Sequence, residues 1–530
     1  MDGRNIIGRK KSGNDSGVLP VFSPGLQRTL AGSFNIATTE EVEEALILAT
    51  QAAKTYGQLA PEKIAKFLRA IADEIMALGD SLIQRAMQET ALPQGRLEGE
   101  RGRTVNQLRL FADHVEEGSW VEARVDRAQA DRKPLPKADI RKMLRPLGPV
   151  VVFTASNFPL AFSTAGGDTA SALAAGCPVI IKAHESHLGT NALVALAIQR
   201  AAENTEMPDG VFSSLNGTGP ELGQHLVKHP LVKAIAFTGS HKAGKAIFDA
   251  ANRREVPIPV FAEMGSTNPI LLFNDALKKH GASIAQQIAD SVTLGVGQFC
   301  TNPGLLIGVK GAPLDQFVEA LGKAIQQKTP GIMLNQGICD NFVKHKKEVV
   351  NQKGVQPYMR AQQSPEPNQG QPSVARVDGA DFIMSTEVKM EVFGPFTLVV
   401  ECVDAAEMAL AVASLPGQLT GTVMSEANDI SEHPDSYRDI IESLQSKVGR
   451  ILFNGVPTGV EVCHSMHHGG PYPATTDSRF TSVGTDAIQR FGRPLCYQDC
   501  PANLLPPALQ DDNPLNIWRV LDGERTKDPV

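Results

Sequence analysis

Two periodicities divide the chain. Between Thr38 and Trp120 apolar residues return every three or four positions, the spacing of helices laid against a core. Thr38-x-x-Glu41 reads as a capping box, and Ala45, Ala49, Ala52 and Ala53 carry one helical face onward from it. A second helix follows Pro61, with Ile64, Phe67, Leu68, Ile71, Ile75 and Leu78 facing inward, and a third spans 97–120 through Leu108, Phe111, Ala112 and Val115. Short β-like runs, Asn5-Ile-Ile and Val18-Leu-Pro-Val-Phe22, precede these helices. From Pro149 the pattern changes to short apolar runs alternating with helical stretches. Strands are predicted at 150–153, 179–181, 211–215, 234–237 and 258–261, with helices at 163–175, 188–202, 221–227 and 242–251 between them. Strand–helix alternation at this spacing means βαβ units and a mostly parallel sheet.

A second alternating series begins at Pro269-Ile-Leu-Leu-Phe273 and passes through a long helix to a glycine-rich loop. It continues with strand 305–309, helix 314–327, strand 397–400, helix 405–414 and strands 421–424 and 450–453. Three stretches fall outside both series. Residues 121–142 are charged, weakly periodic and interrupted by Pro134 and Pro136, which suits an extended arm. The Gln- and Pro-rich segment 356–372 is expected to be a surface loop, and 501–530, with five prolines, a surface tail. The fold class is therefore α/β, and 530 residues require more than one core.

Charge and cysteine usage narrow the function. A formal net charge of −7 with no long basic block leaves no electrostatic footprint for nucleic acid. No apolar run reaches transmembrane length and no apolar leader follows Met1, so neither a membrane nor a secretory route is expected. Seven scattered cysteines, an odd number, argue against a disulfide framework and for a reducing cytoplasm. Cys496-x-x-x-Cys500 has no second ligand pair nearby, and no metal site is expected.

The chemistry concentrates in Asp290-Ser-Val-Thr-Leu-Gly-Val-Gly-Gln-Phe-Cys-Thr-Asn-Pro-Gly304. Glycines ahead of Cys300 let the backbone approach a ligand, and Pro303-Gly304 marks a turn. A cysteine so placed is either a nucleophile, if something takes its proton, or a small buried hydrophobe. No Gly-x-Gly-x-x-Gly follows any predicted strand. Phe237-Thr-Gly-Ser-His-Lys-Ala-Gly244 stands there instead, a strand, a glycine turn and a helix start whose N–H groups suit a pyrophosphate.

Six segments, in order along the chain, resemble the aldehyde dehydrogenase superfamily. They are Ser156-Asn-Phe-Pro159, Lys182-Ala-His-Glu185, Phe237-Thr-Gly-Ser240, Glu263-Met-Gly-Ser266, Thr293-Leu-Gly-Val-Gly-Gln-Phe-Cys300 and Glu391-Val-Phe-Gly-Pro395. The resemblance implies two doubly wound parallel-sheet domains and a small β oligomerisation arm. A Rossmann-like NAD(P)-binding domain would take 1–124 and 146–260, a catalytic domain 261–480, the arm 125–145 and 481–500, and the tail 501–530. It implies Cys300 as nucleophile, Glu263 as the base that activates water, and Asn157 with the Cys300 N–H as oxyanion hole. It implies NAD or NADP as cofactor, held by Lys182, Glu185, Gly239, Ser240, Gly265, Glu391 and Phe393. A carboxylate at Glu185 disfavours a ribose 2′-phosphate, and Lys182 and His184 partly offset it.

Ser156, Thr293 and Ser266 depart from the family's tryptophan, phenylalanine and glycine, which resizes the pocket and leaves the reactive groups intact. Segments 156–168, Lys182-x-His184 and 468–484 are similar to the branch that oxidises 2,5-dioxovalerate (α-ketoglutarate semialdehyde) and to relatives that take long-chain aldehydes. An acidic aldehyde asks for a cationic partner. Arg101, Arg103 and Arg109 lie on the predicted third helix, and Arg103 is the expected carboxylate anchor, with Gln107 one turn on. Phe158 and Phe162 are expected to line the tunnel. A CoA-acylating relative would do without Glu263. A cysteine hydrolase would need His464, His467 or His468 beside Cys300, and a silent protein on this fold would not need the three catalytic residues together. A two-stranded arm is unstable alone, so a homodimer or homotetramer is expected.

Overall fold

The computed structural model describes residues 2–432 and 434–530. Its first sheet has seven strands, in the order Val260–Glu263, Ala234–Thr238, Val150–Phe153, Val179–Lys182, Phe212–Leu215, Asn5–Ile7, Lys10–Ser12. The first five are mutually parallel, and the N-terminal hairpin adds antiparallel to Phe212–Leu215. Alternation sends the strand residues to two cores. Val150, Val152, Val179 and Ile181 pack on one face against helices Pro61–Ala77, Gln94–Glu117, Gly167–Ala174 and Leu188–Asn204. Val151, Phe153, Ile180 and Ile235 pack on the other against Thr39–Tyr56, Gly219–Lys228 and His241–Asn252. Both faces are covered, which is why these strands read as continuous apolar runs. The chain leaves Val150–Phe153 and moves first to one side and later to the other, so a crevice opens at the carboxyl ends of the strands.

The second sheet also has seven strands: Gln356–Arg360, Ser373–Asp378, Phe396–Cys402, Leu305–Val309, Ile270–Leu272, Gln418–Met424, Val448–Phe453. All pairings are parallel except that of Gln356–Arg360 with Ser373–Asp378. A third sheet pairs Gly492–Gln498 with Ile140–Pro146 over seven residues, then continues through Arg124–Asp126 to the hairpin Arg519–Leu521 and Glu524–Thr526. No helix among the described residues is long and apolar enough to cross a membrane.

The structure departs from the sequence reading in identifiable places. The expected surface loop 356–372 begins with a true edge strand, Gln356–Arg360, bulged between Pro357 and Met359; proline is tolerated there because an edge strand need not donate on both sides. The tail is not merely laid on the surface. Arg519–Leu521 joins the third sheet in parallel with Arg124–Asp126, and Leu505, Ala508, Leu509 and Ile517 bury with Val125 and Met143. The 3-10 turn Thr485–Phe491, inside the span expected for the arm, packs Ala487, Ile488 and Phe491 into the first core. The helix expected at 163–175 starts only at Gly167, because the Ser163 and Thr164 hydroxyls donate to Asn191 Oδ1 instead of continuing a helix. Helix Gly79–Thr90 was hidden by its charge. Glu89 is fully buried and accepts from the Gly189 and Thr190 N–H groups and the Thr190 hydroxyl, capping helix Leu188–Asn204, with Arg85 alongside.

Candidate active site

Helix Asn274–Thr293 delivers the chain to the cysteine loop, where Gly295, Val296 and Gly297 all have positive φ. For valine this is a strained backbone. Its side chain fills the space over Gly331 and Gly370, where an added Cβ would lie 2.6 and 2.9 Å from it. At Gly297 a Cβ would lie 2.4 Å from the Gly394 carbonyl, so the cysteine loop and the Glu391-Val-Phe-Gly-Pro segment touch backbone to backbone. Gln298 fastens the loop from inside, its Oε1 accepting from the Leu334 N–H at 3.0 Å. Asn268, fully buried, donates its side-chain amide to the carbonyls of Cys300 at 2.8 Å and Asn302 at 2.9 Å.

Strand Val260–Glu263 ends with Glu263 beside this loop. Ala262, Glu263 and Met264 are tied to the 474–476 segment by backbone bonds, which seats the preceding His468-Gly469-Gly470 turn over the cysteine. Gly470 is required there, because a Cβ would lie 2.1 Å from the Gln418 carbonyl. Cys300 Sγ lies 3.6 Å from His468 Nε2, and His468 Nε2 lies 3.1 Å from Glu263 Oε1. The Ser482 hydroxyl donates to Glu263 Oε2 and, at 3.2 Å, to the His468 carbonyl. Burial works to raise the Glu263 carboxyl, but His468, Ser482 and Cys300 outweigh it and hold the group below its ordinary value. Burial, then the neighbouring Glu263 charge, pushes the Cys300 thiol well above its ordinary range. At rest the pair is a thiol beside a carboxylate.

Asn157 follows strand Val150–Phe153. Its amide donates to the Gln298 carbonyl at 3.1 Å, which leaves the second amide hydrogen for a ligand. Glu100 holds this turn by accepting from the Leu160 and Ala161 N–H groups at 2.8 and 2.9 Å. Arg96 adds a bond to the Asn157 carbonyl at 3.0 Å and lies over the rings of Phe158 and Phe299. Phe158 meets Phe162 and Phe299 edge to face, at 5.3 and 5.4 Å between centroids, and Val460, Val462 and Met466 close the other side.

Arg96 apart, the arginines of helix Gln94–Glu117 separate here. Arg109 pairs with exposed Asp73, and Arg101 donates to the Gly79 carbonyl. Arg103 turns inward over the Phe162 ring at 5.2 Å, with its Nη1 buried and without a hydrogen-bond acceptor. Burial lowers its affinity for the proton, while Glu100, Cys300 and Glu263 are the charges it feels most. Gln107 is buried deeper, its Nε2 unpartnered beside Gly167. A further cation, Arg450 on Val448–Phe453, has no counterpart among the residues the sequence singles out. It donates to the Pro457 carbonyl at 3.1 Å, leaves Nε buried without an acceptor and feels Cys300. Its position inside a predicted strand gave no sign that it faces the site.

The residues expected to hold a dinucleotide gather at the carboxyl end of the first sheet. Lys182 and Glu185 form an ion pair of 3.0 Å where strand Val179–Lys182 ends. Gly239 and Ser240 open helix His241–Asn252, and the Ser240 hydroxyl caps it by accepting from the Ala243 N–H. A Cβ on Gly265 would lie 2.4 Å from Glu391 Oε2, so only glycine lets that carboxylate sit against the strand end. Burial pushes the Glu391 carboxyl up to about 7, with the Ser266 N–H opposing. Glu391 and Phe393 also line a narrow cleft beside the cysteine loop, together with Ser266, Thr267, Phe299 and Asn302. A glycine turn at a helix start, a lysine–glutamate pair at a strand end and a second carboxylate beside the cysteine loop are groups that fit a nicotinamide dinucleotide. Asn268, His468, Ser482 and Glu100 complete the site. Of these only His468 had a signal in the sequence, as one of three histidines offered to a cysteine partner.

Comparisons with known proteins agree with this geometry. The aldehyde dehydrogenase family profile matches residues 11–471. The chain is 49% identical over 525 residues to alpha-ketoglutaric semialdehyde dehydrogenase 2 of Azospirillum brasilense, covering 99% of each chain. It is 45% identical over 495 residues to alpha-ketoglutaric semialdehyde dehydrogenase of Acinetobacter baylyi, covering 93% of each. The NAD-bound 1-pyrroline-5-carboxylate dehydrogenase from Thermus has the same fold, with a TM-score of 0.78 at 22% identity over 93% of this chain and 92% of that one. So does the aldehyde dehydrogenase KauB from Pseudomonas aeruginosa, with a TM-score of 0.78 at 21% identity over 94% and 96%. With a cysteine on a glycine loop and a buried glutamate and histidine beside it, this chain belongs to the aldehyde dehydrogenase family.

Proposed function

We propose that this enzyme oxidises 2,5-dioxovalerate (α-ketoglutarate semialdehyde) to 2-oxoglutarate. The observation that supports the reading is the convergence of Cys300, Glu263 and His468, with Arg103 close enough to feel Cys300 and Glu263 while its buried Nη1 has no acceptor. The names of the relatives at 49% and 45% identity support the same aldehyde. A fatty or other aliphatic aldehyde is not favoured, because an alkyl chain would leave Arg103 and Arg450 buried without an anion.

Glu263 and His468 are the bases within reach of the thiol. One of them takes its proton, and the thiolate attacks the carbonyl carbon to give a thiohemiacetal. The oxygen that gains charge meets the free Asn157 amide hydrogen and the Cys300 N–H, donors already in place before reaction. Lys182, Glu185, Gly239, Ser240, Gly265, Glu391 and Phe393 would hold a nicotinamide dinucleotide, which when bound would supply the hydride acceptor. What remains on Cys300 is a thioester. Glu263, oriented by Ser482 and His468, then removes a proton from water. The hydroxide adds to the acyl carbon, and the tetrahedral species expels the thiolate and releases the acid. Arg103, Gln107 and Arg450 hold the substrate's oxo-acid end, with Phe158 and Phe162 as tunnel walls. Glu185 repels a 2′-phosphate and Lys182 partly offsets this, so NAD is preferred over NADP. The strand Gly492–Gln498, which among the described residues has no partner on its outer side in the third sheet, is the edge through which a dimer or a dimer of dimers forms. The seven free cysteines suit a reducing cytoplasm.

A panel of acidic and neutral aldehydes run with NAD and with NADP tests the reading. The five-carbon oxo-acid semialdehyde with NAD is expected to give the highest kcat/KM. A higher value for a neutral aliphatic aldehyde of similar length would overturn it.

A further inference from the structure

No metal site was legible in the sequence, where 37 and 168 residues separate Cys300 from Glu263 and His468. The fold nevertheless brings a thiol, an imidazole and a carboxylate oxygen within 4.8 Å of one another. We propose that Cys300, His468 and Glu263 form a binding site for one zinc ion, which closes the enzyme reversibly by taking up the catalytic thiol.

Zinc bonds of about 2.3 Å to sulfur and about 2.05 Å to imidazole nitrogen, opened to the tetrahedral angle, place S and N about 3.6 Å apart. The same construction places N and a carboxylate O about 3.4 Å apart. The structure holds Cys300 Sγ 3.6 Å from His468 Nε2, and His468 Nε2 3.1 Å from Glu263 Oε1. Two edges of the tetrahedron are therefore already formed within a few tenths of an ångström. The outer contacts are suited as well. Ser482 donates to Glu263 Oε2, which leaves Oε1 for the ion. His468 is fully buried, and its backbone is pinned by the Thr481 hydroxyl at 2.8 Å, so the ring is held before any ion arrives.

Three protein ligands and one open position are the arrangement of an accessible zinc site rather than a structural one. On binding, the Sγ–H bond breaks and its proton leaves to solvent, the His468 Nε2 proton that faces Glu263 moves to Nδ1 through solvent, and S–Zn, N–Zn and O–Zn bonds form; no electrons are transferred. Two anionic ligands then neutralise the divalent charge, which makes the buried complex tolerable. The affinity is limited because His468 Nδ1 has no hydrogen-bond acceptor to raise the basicity of Nε2, and because Arg103 and Arg450 repel a cation. A chelator should therefore strip the ion readily. Inhibition follows because the sulfur electron pair needed for attack is shared with the metal and the water-activating oxygen is occupied.

Cobalt(II) as a spectroscopic stand-in tests the site without any turnover, so the result does not depend on the substrate reading. Titration of the whole enzyme should reach one equivalent per chain, with a thiolate-to-cobalt charge-transfer band and the visible bands of a four-coordinate ion. Zinc should displace it, inhibit competitively with aldehyde, and be reversed by EDTA. In Cys300→Ser the charge-transfer band should vanish, and in His468→Gln the affinity should fall at least tenfold. A Cys496→Ser/Cys500→Ser double variant should behave as the parent. A charge-transfer band that persists in Cys300→Ser, or that disappears in the Cys496→Ser/Cys500→Ser variant, would overturn the proposal. So would a spectrum with no thiolate band.

Discussion

Replacing Arg103 with methionine separates binding of the substrate's acid end from the chemistry at Cys300. Methionine keeps most of the stem that packs on Phe162 and removes only the charge and its donors. In the free enzyme Arg103 is half-buried, its Nη1 has no acceptor, and burial already disfavours its charge. Losing it should leave the melting temperature unchanged or slightly raised, because no native hydrogen bond is broken at Nη1. The complex is different. A substrate carboxylate would meet a desolvated guanidinium, and truncating one partner of such a pair costs about 2–5 kcal/mol. At about 1.4 kcal/mol per factor of ten, kcat/KM for the oxo-acid semialdehyde should drop about 30-fold to several thousandfold. Pentanal, with the same chain length and no carboxylate, should change by less than about threefold, since only packing is altered. Stopped-flow or steady-state NADH formation reads both values on the same preparation. An equal loss for the two aldehydes would show that Arg103 supports the tunnel wall and not the anion.

Other perturbations read other parts of the site. Gly297→Ala places a Cβ 2.4 Å from the Gly394 carbonyl at a residue of positive φ; the cysteine loop must shift, and kcat/KM should fall by about a hundredfold or more while the melting temperature moves by only a few degrees. Glu391 titrates near 7, its pKa raised by burial. It is neutral below that pH and charged above, so KM for NAD should fall as pH rises from 6 to 8. Glu391→Gln should flatten that profile, and an unchanged profile would remove Glu391 from the cofactor seat. Glu89→Ala strips three bonds from the start of helix Leu188–Asn204 and leaves Arg85 buried without its partner. A destabilisation of about 3–5 kcal/mol is expected, seen as a lower urea midpoint for the first unfolding transition.

Most of the fold could be read because both main sheets are buried on two faces, and their strands appear as unbroken apolar runs between helical patterns. Where polar groups do structural work inside the protein, the pattern misled. Helix Gly79–Thr90 carries Arg85 and Glu89 inward, and the edge strand Gln356–Arg360 carries Gln, Pro and Arg outward. The site divided the same way. Cys300, Glu263 and Asn157 could be proposed because each lies in a short contiguous segment that resembles the family's. Asn268, Ser482 and Arg450 act through contacts made 30 to more than 200 residues away in sequence, and local spacing carries no trace of those. The glycines of the cysteine loop were read as room for a ligand. In the structure Gly297 makes room for the protein's own Gly394 backbone, joining the loop to the segment that carries Glu391.

The proposed chemistry turns on a thioester formed at Cys300 and released by Glu263. Glu263→Gln should stop release while leaving the attack intact, because His468 remains 3.6 Å from the sulfur. Mixed with NAD and the semialdehyde, this variant should give a burst of one NADH per active site and then nearly stop. Intact-mass and peptide analysis should find the acyl group on Cys300, and Cys300→Ser should show neither burst nor adduct. Steady turnover by Glu263→Gln at the parent rate, or an acyl group on any other residue, would contradict the mechanism.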